Sequence, residues 1–392
     1  MFVYLDNSAT TKQYDQVTDV MVSMMRDIYG NPSSLHMLGV EAEKHLRQAR
    51  KMVASSIGVS EEEVYFTSGG TESDNTVLYG VCEARKRIGK KVITTAVEHP
   101  AVLEPARRLE ANGWQVEYIG VDKQCRLNME QFEAALSEDT VLISVMGVNN
   151  ETGTVMPIQE IARLKEKYNK MHHTEILLHT DAVQAFGKID VHVNGPYQGV
   201  DFMSISGHKI HGPKGIGGLY AKRGMPLLPF MLGGGQERHM RSGTENTPAM
   251  VGFGKATELA MHHFSQRVKA MEEARNFLLE GLKTEVKDLV INSPQDENSC
   301  PSVLNVSFLG TRGEVILHTL EQDGIYVSTG SACSSNKKGM SYVLTAMGLK
   351  EKEIEGAIRF SFSEFNTLAE MEYVLEKIKN AVTRFRKLGS FR

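Results

Sequence analysis

The sequence predicts an α/β fold: a large domain with a mainly parallel seven-stranded sheet covered by helices, plus a smaller α+β domain. Three observations lead there. Short apolar runs alternate with amphipathic stretches over the first two thirds of the chain, as in a parallel sheet buried on both faces. A chain of 392 residues is too long for one simple core. After Thr247 the alternation gives way to a long helical stretch and then to mixed strands and helices.

The predicted strands of the large domain are Val64–Thr67, Val92–Ala96, Gln115–Ile119, Val141–Met146, Ile176–His179, Phe202–Ile205 and Ile216–Ala221. Between the earlier ones lie helical patterns at Glu72–Arg87, Ala101–Ala111, Met129–Leu136 and Ile158–Tyr168. Thr247–Lys287 reads as helix without a strong stop, long enough to bridge two domains. Beyond it come strand Val303–Phe308, helix Glu314–Gln322, strand Tyr326–Ser328, strand Ala357–Phe362 and a last helix. That helix opens at the capping box Thr367-Leu368-Ala369-Glu370. The expected division is 15–255 for the large domain and 1–14 with 256–392 for the small one.

Charge and cysteine usage narrow the function. A formal charge of −4 gives no reason to expect direct nucleic-acid binding. No apolar run reaches membrane-spanning length, and the start lacks a basic segment followed by an apolar one, so a cytoplasmic protein is expected. Cys82, Cys125, Cys300 and Cys333 are widely spaced, which suits a reduced compartment. Only the chain end is locally basic, at Lys377, Lys379, Arg384, Arg386, Lys387 and Arg392. It reads as a solvated helix whose cations suit its dipole, or as a docking patch for an acidic partner.

In open α/β sheets ligands sit beyond the carboxyl ends of the strands. Five such ends carry unusual polar groups. Ser68-Gly69-Gly70-Thr71 leads into a helix and suits a phosphate, although an ordinary glycine turn capped by Thr71 would look the same. Glu98-His99-Pro100 follows the second strand, where His99 could equally be a satisfied loop residue. Asn149-Asn150-Glu151-Thr152-Gly153 follows the fourth, with a plain turn as its alternative. Asp181 and Gln184 follow the fifth, and Asp181 could merely cap a helix. Ser206-Gly207-His208-Lys209 follows the sixth and places an amine in a glycine-flanked loop, as carbonyl chemistry requires.

Together these ends describe a site for an aldehyde-bearing pyridine phosphate. Lys209 would tether it, Asp181 would face the ring nitrogen, Gln184 would hydrogen-bond the ring hydroxyl and His99 would stack on the ring. A carboxylate ~3 Å from the ring nitrogen contributes about 5 kcal/mol at an effective dielectric near 20, enough to keep that nitrogen protonated.

The runs LDNSATT, GNPSSLH, TSGGTESDN, EHPAV, NNETG, HTDAVQ, SGHKIHGPKG, GGGQE with RSGTEN, and GSACSS resemble the cysteine desulfurases, a class-V aminotransferase branch of fold-type I pyridoxal-phosphate enzymes. The loop GSACSSNKKGMSYVL is similar to the IscS/NifS group rather than the SufS group. This resemblance implies conversion of L-cysteine to L-alanine, with the sulfur held as a persulfide on Cys333. It implies Lys209 as the lysine carrying pyridoxal 5′-phosphate, and Asp181 and Gln184 on its ring. Gly70, Thr71, Ser206 and His208 would hold the phosphate, with Thr244 from a second subunit, which implies a homodimer with shared sites. Asn150 and Arg359 would hold the substrate carboxylate, and His99 would move protons.

The composition of Gly330–Gly339 agrees with the Cys333 role: it is too polar for a core segment, as a travelling thiol requires, and Lys337 and Lys338 favour thiolate. The persulfide would pass to a protein acceptor, either a tRNA-thiolation enzyme or an iron–sulfur scaffold. Scaffold-serving members usually carry a further C-terminal tail beyond the point where this sequence ends. The run Phe362-Ser363-Glu364-Phe365-Asn366-Thr367 departs from the usual SLGRxT and resembles short bacterial desulfurases that serve tRNA thiolation. Rival readings are amino-group transfer, selenocysteine or sulfinate lysis on the same scaffold, and a silent acceptor-binding protein.

Overall fold

An arm strand opens the chain, β1 (Val3–Tyr4), followed by helices α1 (Asp15–Arg26) and α2 (Met37–Ile57). The computed structural model describes residues 1–329 and 340–387. The alternating region then runs β2 (Val64–Thr67), α3 (Gly70–Arg85), β3 (Lys91–Thr95), α4 (Pro100–Ala111), β4 (Gln115–Ile119), α5 (Met129–Ala135), β5 (Thr140–Ser144), α6 (Ile158–His172), β6 (Leu177–Asp181), β7 (Phe202–Ser206) and β8 (Gly217–Ala221). These seven strands, β2 to β8, form one sheet in the order β2-β8-β7-β6-β5-β3-β4. All neighbours are parallel except around β8, which runs antiparallel to both β2 and β7.

Strand pleating explains the double burial. Consecutive residues point to opposite faces. Ile93, Ile143 and Leu178 join a cluster with Leu46 and Val53 of α2. Val92, Leu142 and Leu177 face the other way, onto Val77 and Val81 of α3 and Val102 of α4. A third cluster gathers Val3 and Leu5 of the arm with residues from Met271 to Val382.

Past the sheet come α7 (Thr247–His262), α8 (Phe264–Glu285), β9 (Leu289–Ile291), β10 (Val303–Phe308), α9 (Gly313–Gln322), β11 (Ile325–Tyr326), α10 (Tyr342–Ala346), α11 (Glu351–Glu355), β12 (Ala357–Ser361) and α12 (Leu368–Lys387). The antiparallel sheet β12-β10-β9 and the parallel pair β1-β11 lie here. The capping box forms, with Thr367 N donating to Glu370 and Glu370 N to Thr367 Oγ1.

Two sequence expectations are corrected. The helix expected across Thr247–Lys287 is interrupted at His263 (φ −113°, ψ 24°). Arg267 Nη1 donates to the Ala260 carbonyl at 3.2 Å, serving an α7 end carbonyl from a residue beyond the break. A strand expected at Tyr326–Ser328 lies instead at Ile325–Tyr326, and Ser328 forms an isolated bridge to Arg359. The basic end is partly consumed inside the fold: Arg386 donates to the carbonyls of Leu309, Lys287 and Asp288.

Candidate active site

Because β5, β6 and β7 are adjacent and parallel, their carboxyl ends bring three loops to one edge. These carry Asn150, Asp181 with Gln184, and Ser206 with His208 and Lys209. The β2–α3 turn reaches the same edge through β8: a side chain at Gly217 would meet Gly69 Cα at 2.7 Å. Gly69 itself adopts φ 153°, ψ −178°, which side-chain-bearing residues avoid. The turn therefore needs both glycines, and α3 opens at Gly70 with Thr71 exposed beside it. Helix starts carry unpaired N–H groups and a positive dipole end, which suit an anion.

Asp181 is buried at the end of β6, and its Oδ1 accepts from Val183 N at 2.9 Å. Burial pushes its carboxyl up, while the neighbouring His99 and Lys209 pull it back toward ionisation. His99 caps α4 through Nδ1, which accepts from Ala101 N at 3.1 Å, so Nε2 bears the ring hydrogen. Burial lowers its affinity for a second proton.

Lys209 ends a short turn after β7, with Nζ 2.5 Å from the Ser8 carbonyl and 2.9 Å from that of Ala9. Gln184 Nε2 also donates to Ser8 O, at 2.9 Å. Its orientation is set by Lys188, whose Nζ can only donate and lies 2.7 Å from Gln184 Oε1. Among the described residues, one Nε2 hydrogen of Gln184 thus remains for a ligand. Ser206 is buried, and His208 Nδ1 lies 3.2 Å from Thr10 Oγ1. Burial, with Lys209 and Lys214, pushes His208 down to about 4. Thr244 is exposed, three residues beyond Arg241, whose Nε holds Glu72 at 3.0 Å beside Thr71.

Arg359 lies on β12, with Nη2 2.8 Å from Asp6 Oδ1 and Nη1 3.1 Å from the Asn150 carbonyl. Among the described residues, Arg359 Nε and Asn150 Oδ1 are buried without hydrogen-bond partners. A guanidinium with an unused N–H suits a carboxylate ligand; the Asn150 amide would meet one through its NH2, which leaves the buried Oδ1 for a donor.

Cys333, with Lys337 and Lys338, lies outside the described residues. The flanking chain is tied to the site at both ends: Ser328 and Arg359 exchange backbone bonds of 3.1 and 2.7 Å, and Ser341 Oγ donates to Glu151 Oε2 at 2.5 Å. The other three cysteines are buried and unbridged.

The site also uses Asp6, Ser8, Glu98 and Glu151, which the sequence motifs do not mark as functional. Ser8 acts through its carbonyl, so no side-chain signal exists, whereas Glu98 stands beside His99 in plain view. Glu98 is fully buried, with Oε1 accepting from Thr95 Oγ1 and Met146 N at 2.9 Å and Oε2 unpartnered among the described residues. Burial pushes this carboxyl up to about 8, against the pull of the Met146 N–H and with a further push from Asp181. A raised carboxyl contributes stability that is complete below its ordinary value and lost as pH rises through the folded one. Relative to wild type, Glu98→Gln is expected to remove an alkaline loss of about 1.4 kcal/mol per pH unit between roughly pH 5 and 8. Urea unfolding across that range measures it, and parallel curves for the two proteins would contradict the burial argument.

The family model described as aminotransferase class-V matches residues 3–374. A protein named cysteine desulfurase IscS from Dictyoglomus turgidum is 39% identical over 390 residues, covering 100% of this chain and 97% of that protein. A cysteine desulfurase from Trichormus azollae is 42% identical over 391 residues, covering 100% and 95%. A solved NifS-like protein superposes with a TM-score of 0.90 at 41% identity, covering 98% of this chain and 100% of the other. A structure described as SspA in complex with cysteine gives a TM-score of 0.79 at 33% identity, covering 93% and 100%.

Proposed function

We propose that this chain, which belongs to the class-V aminotransferase family, is a pyridoxal-phosphate-dependent cysteine desulfurase that converts L-cysteine to L-alanine and holds the sulfur as a persulfide on Cys333. The observation that carries the reading is one convergence. Lys209 and Asp181 are close enough to perturb the ionisation of His99, as Lys209 and His99 do that of Asp181, and the backbone bridge from Arg359 to Ser328 ties the chain five residues before Cys333 to the same site. Relatives that bear the name cysteine desulfurase match across the whole chain.

The residues present fit the cofactor on chemical grounds. A buried carboxylate suits a protonated ring nitrogen, the glycine turn at the start of α3 suits a phosphate, and the amine of Lys209 suits an aldehyde. When bound, pyridoxal 5′-phosphate would supply an electron sink for the substrate's Cα. Gly70, Thr71, Ser206 and His208 would hold its phosphate, with Thr244 of a second copy, while Asp181, Gln184, Asn150 and His99 would surround its ring.

The chain's own groups then divide the work. Arg359 and Asn150 hold the substrate carboxylate, and Lys209 Nζ takes the Cα proton. His99 enters through its hydrogen-bearing Nε2. The Cys333 thiolate attacks the substrate sulfur: an S–S bond forms, the Cβ–S bond breaks, and its electron pair takes up the substrate's thiol proton, carried by His99, as the new Cβ–H bond of alanine. The persulfide passes to a protein acceptor, a tRNA-thiolation enzyme or an iron–sulfur scaffold.

A homodimer is supported by exposed large apolar side chains in two stretches of the chain, Tyr29, Leu35, Met37 and Leu38 in one and Phe230 and Leu232 in the other. The division into 15–255 and 1–14 with 256–392 is supported by the separate cluster of arm and C-terminal residues. No helix among the described residues is long and apolar enough to cross a membrane, and a cytoplasmic setting belongs to the same proposal.

The test is turnover. The cofactor-loaded protein, given L-cysteine and excess dithiothreitol, is expected to release alanine and sulfide in equal amounts. Without the thiol, mass spectrometry should find one added sulfur on the Cys333 peptide. A keto acid in place of alanine would overturn the assignment in favour of amino-group transfer.

A further inference from the structure

Glu364 lies in the turn between β12 and α12, and the reaction as described makes no use of it. Its side chain is 14% exposed and receives four donors. Tyr14 Oη donates to Oε1, as does Arg267 Nε at 2.9 Å, while Arg267 Nη2 at 3.4 Å and His211 Nε2 at 3.3 Å meet Oε2. Burial opposes the charge, yet His211 and Arg267 hold the carboxyl well below the usual range.

His211 is constrained on both sides. Its Nδ1 lies 2.7 Å from the Lys12 carbonyl, so both ring nitrogens face oxygen atoms. Its backbone adopts φ 62°, unusual for a residue with a side chain, and its N–H donates to Thr11 Oγ1 at 2.8 Å. Tyr14, His211 and Phe365 close the cluster with ring contacts of 4.7 to 6.0 Å. Four separate segments therefore meet on one carboxylate: the arm, α8, the turn after Lys209 and the turn after β12.

The sequence positions give this junction its meaning, since Glu364 lies five residues past Arg359 and His211 two past Lys209. We propose that Glu364 is a positioning residue for the cysteine reaction: its carboxylate ties the β12 turn to the Lys209 turn and so keeps Arg359 in register with the amine. The proposal deepens the functional reading above and rests on it. A carboxylate-bearing substrate spans the two groups, so loosening the tie weakens the grip on its carboxylate while Lys209 chemistry persists.

The experiment compares cofactor-loaded wild type, Glu364→Gln, Glu364→Asp and Tyr14→Phe. Glu364→Gln is expected to raise KM for L-cysteine about 10-fold with kcat within roughly 3-fold, and Glu364→Asp to recover most of that loss. Binding of L-alanine and of ethylamine, which lacks only the carboxylate, is followed by visible absorbance. L-alanine should weaken by the same factor and ethylamine should not change. If Glu364→Gln does not fold, Tyr14→Phe and Glu364→Asp carry the test, each with KM raised about 3-fold. An unchanged KM in every folded variant, or equal weakening of L-alanine and ethylamine, overturns the tie and leaves Glu364 a stability residue. Inactivity of wild type toward cysteine would instead defeat the functional reading, and the L-alanine and ethylamine pair would still report on the tie.

Discussion

Lys209→Ala is expected to abolish the visible absorbance that survives dialysis and to cut cysteine turnover by roughly 10³-fold or more, the scale that follows from the proposed double role of tether and proton acceptor. The fold should persist. The Lys209 turn is held by its backbone, through Gly207 N to Ile216 O, Ile210 N to Gly207 O, and Thr11 N to His208 O. The side chain adds two donations to the arm, at Ser8 and Ala9, so a modest loss of stability accompanies the loss of activity. Absorbance spectra after dialysis, with melting temperature and alanine release on the same samples, separate the two effects. A variant that keeps its colour and near-normal turnover would remove Lys209 from the mechanism.

Cys333→Ser should behave in the opposite way, keeping the visible absorbance while alanine release falls roughly 10³-fold for want of the nucleophile and no persulfide accumulates. No other cysteine can stand in. Burial pushes the thiols of Cys82 and Cys125 up to about 12. At pH 7 a thiol of that kind is thiolate in only about one molecule in 10⁵. Cys300 is fully buried, with its sulfur 3.2 Å from Ser302 Oγ. Mass spectrometry of the peptides after incubation with cysteine locates the added sulfur. Added sulfur on Cys82, Cys125 or Cys300, or undiminished alanine release, would remove Cys333 from its role.

The two variants ask different questions of the site. Loss of the lysine tests whether the carboxyl edge of the sheet holds the cofactor. Loss of the thiol tests whether sulfur leaves by the segment between Ser328 and Ser341. Opposite spectra with similar losses of activity would separate cofactor handling from sulfur transfer.

Much of this architecture is written locally. Most of the seven sheet strands are short apolar runs between polar or glycine-bearing turns, and β4 alternates, so their positions can be read within a residue or two of the observed ones. The polar groups just past those runs are equally local, which is why Asn150, Asp181 and Lys209 can be picked out before their proximity is known. The capping box at Thr367 needs only four consecutive residues.

What the tertiary structure decided are the contacts between distant segments. At the break at His263, the freed Ala260 carbonyl is met by Arg267, whose guanidinium is held by Glu364, almost a hundred residues later. The Ser8 carbonyl receives both Gln184 and Lys209 only because the arm folds back over the sheet edge, and Asp6 meets Arg359 across 353 residues of chain. Periodicity and turn chemistry are short-range, encoded in side-chain size and backbone preference over a few residues. The pairing of donors with acceptors depends on which strand ends lie side by side, and strand order and arm placement are set by burial of the whole core.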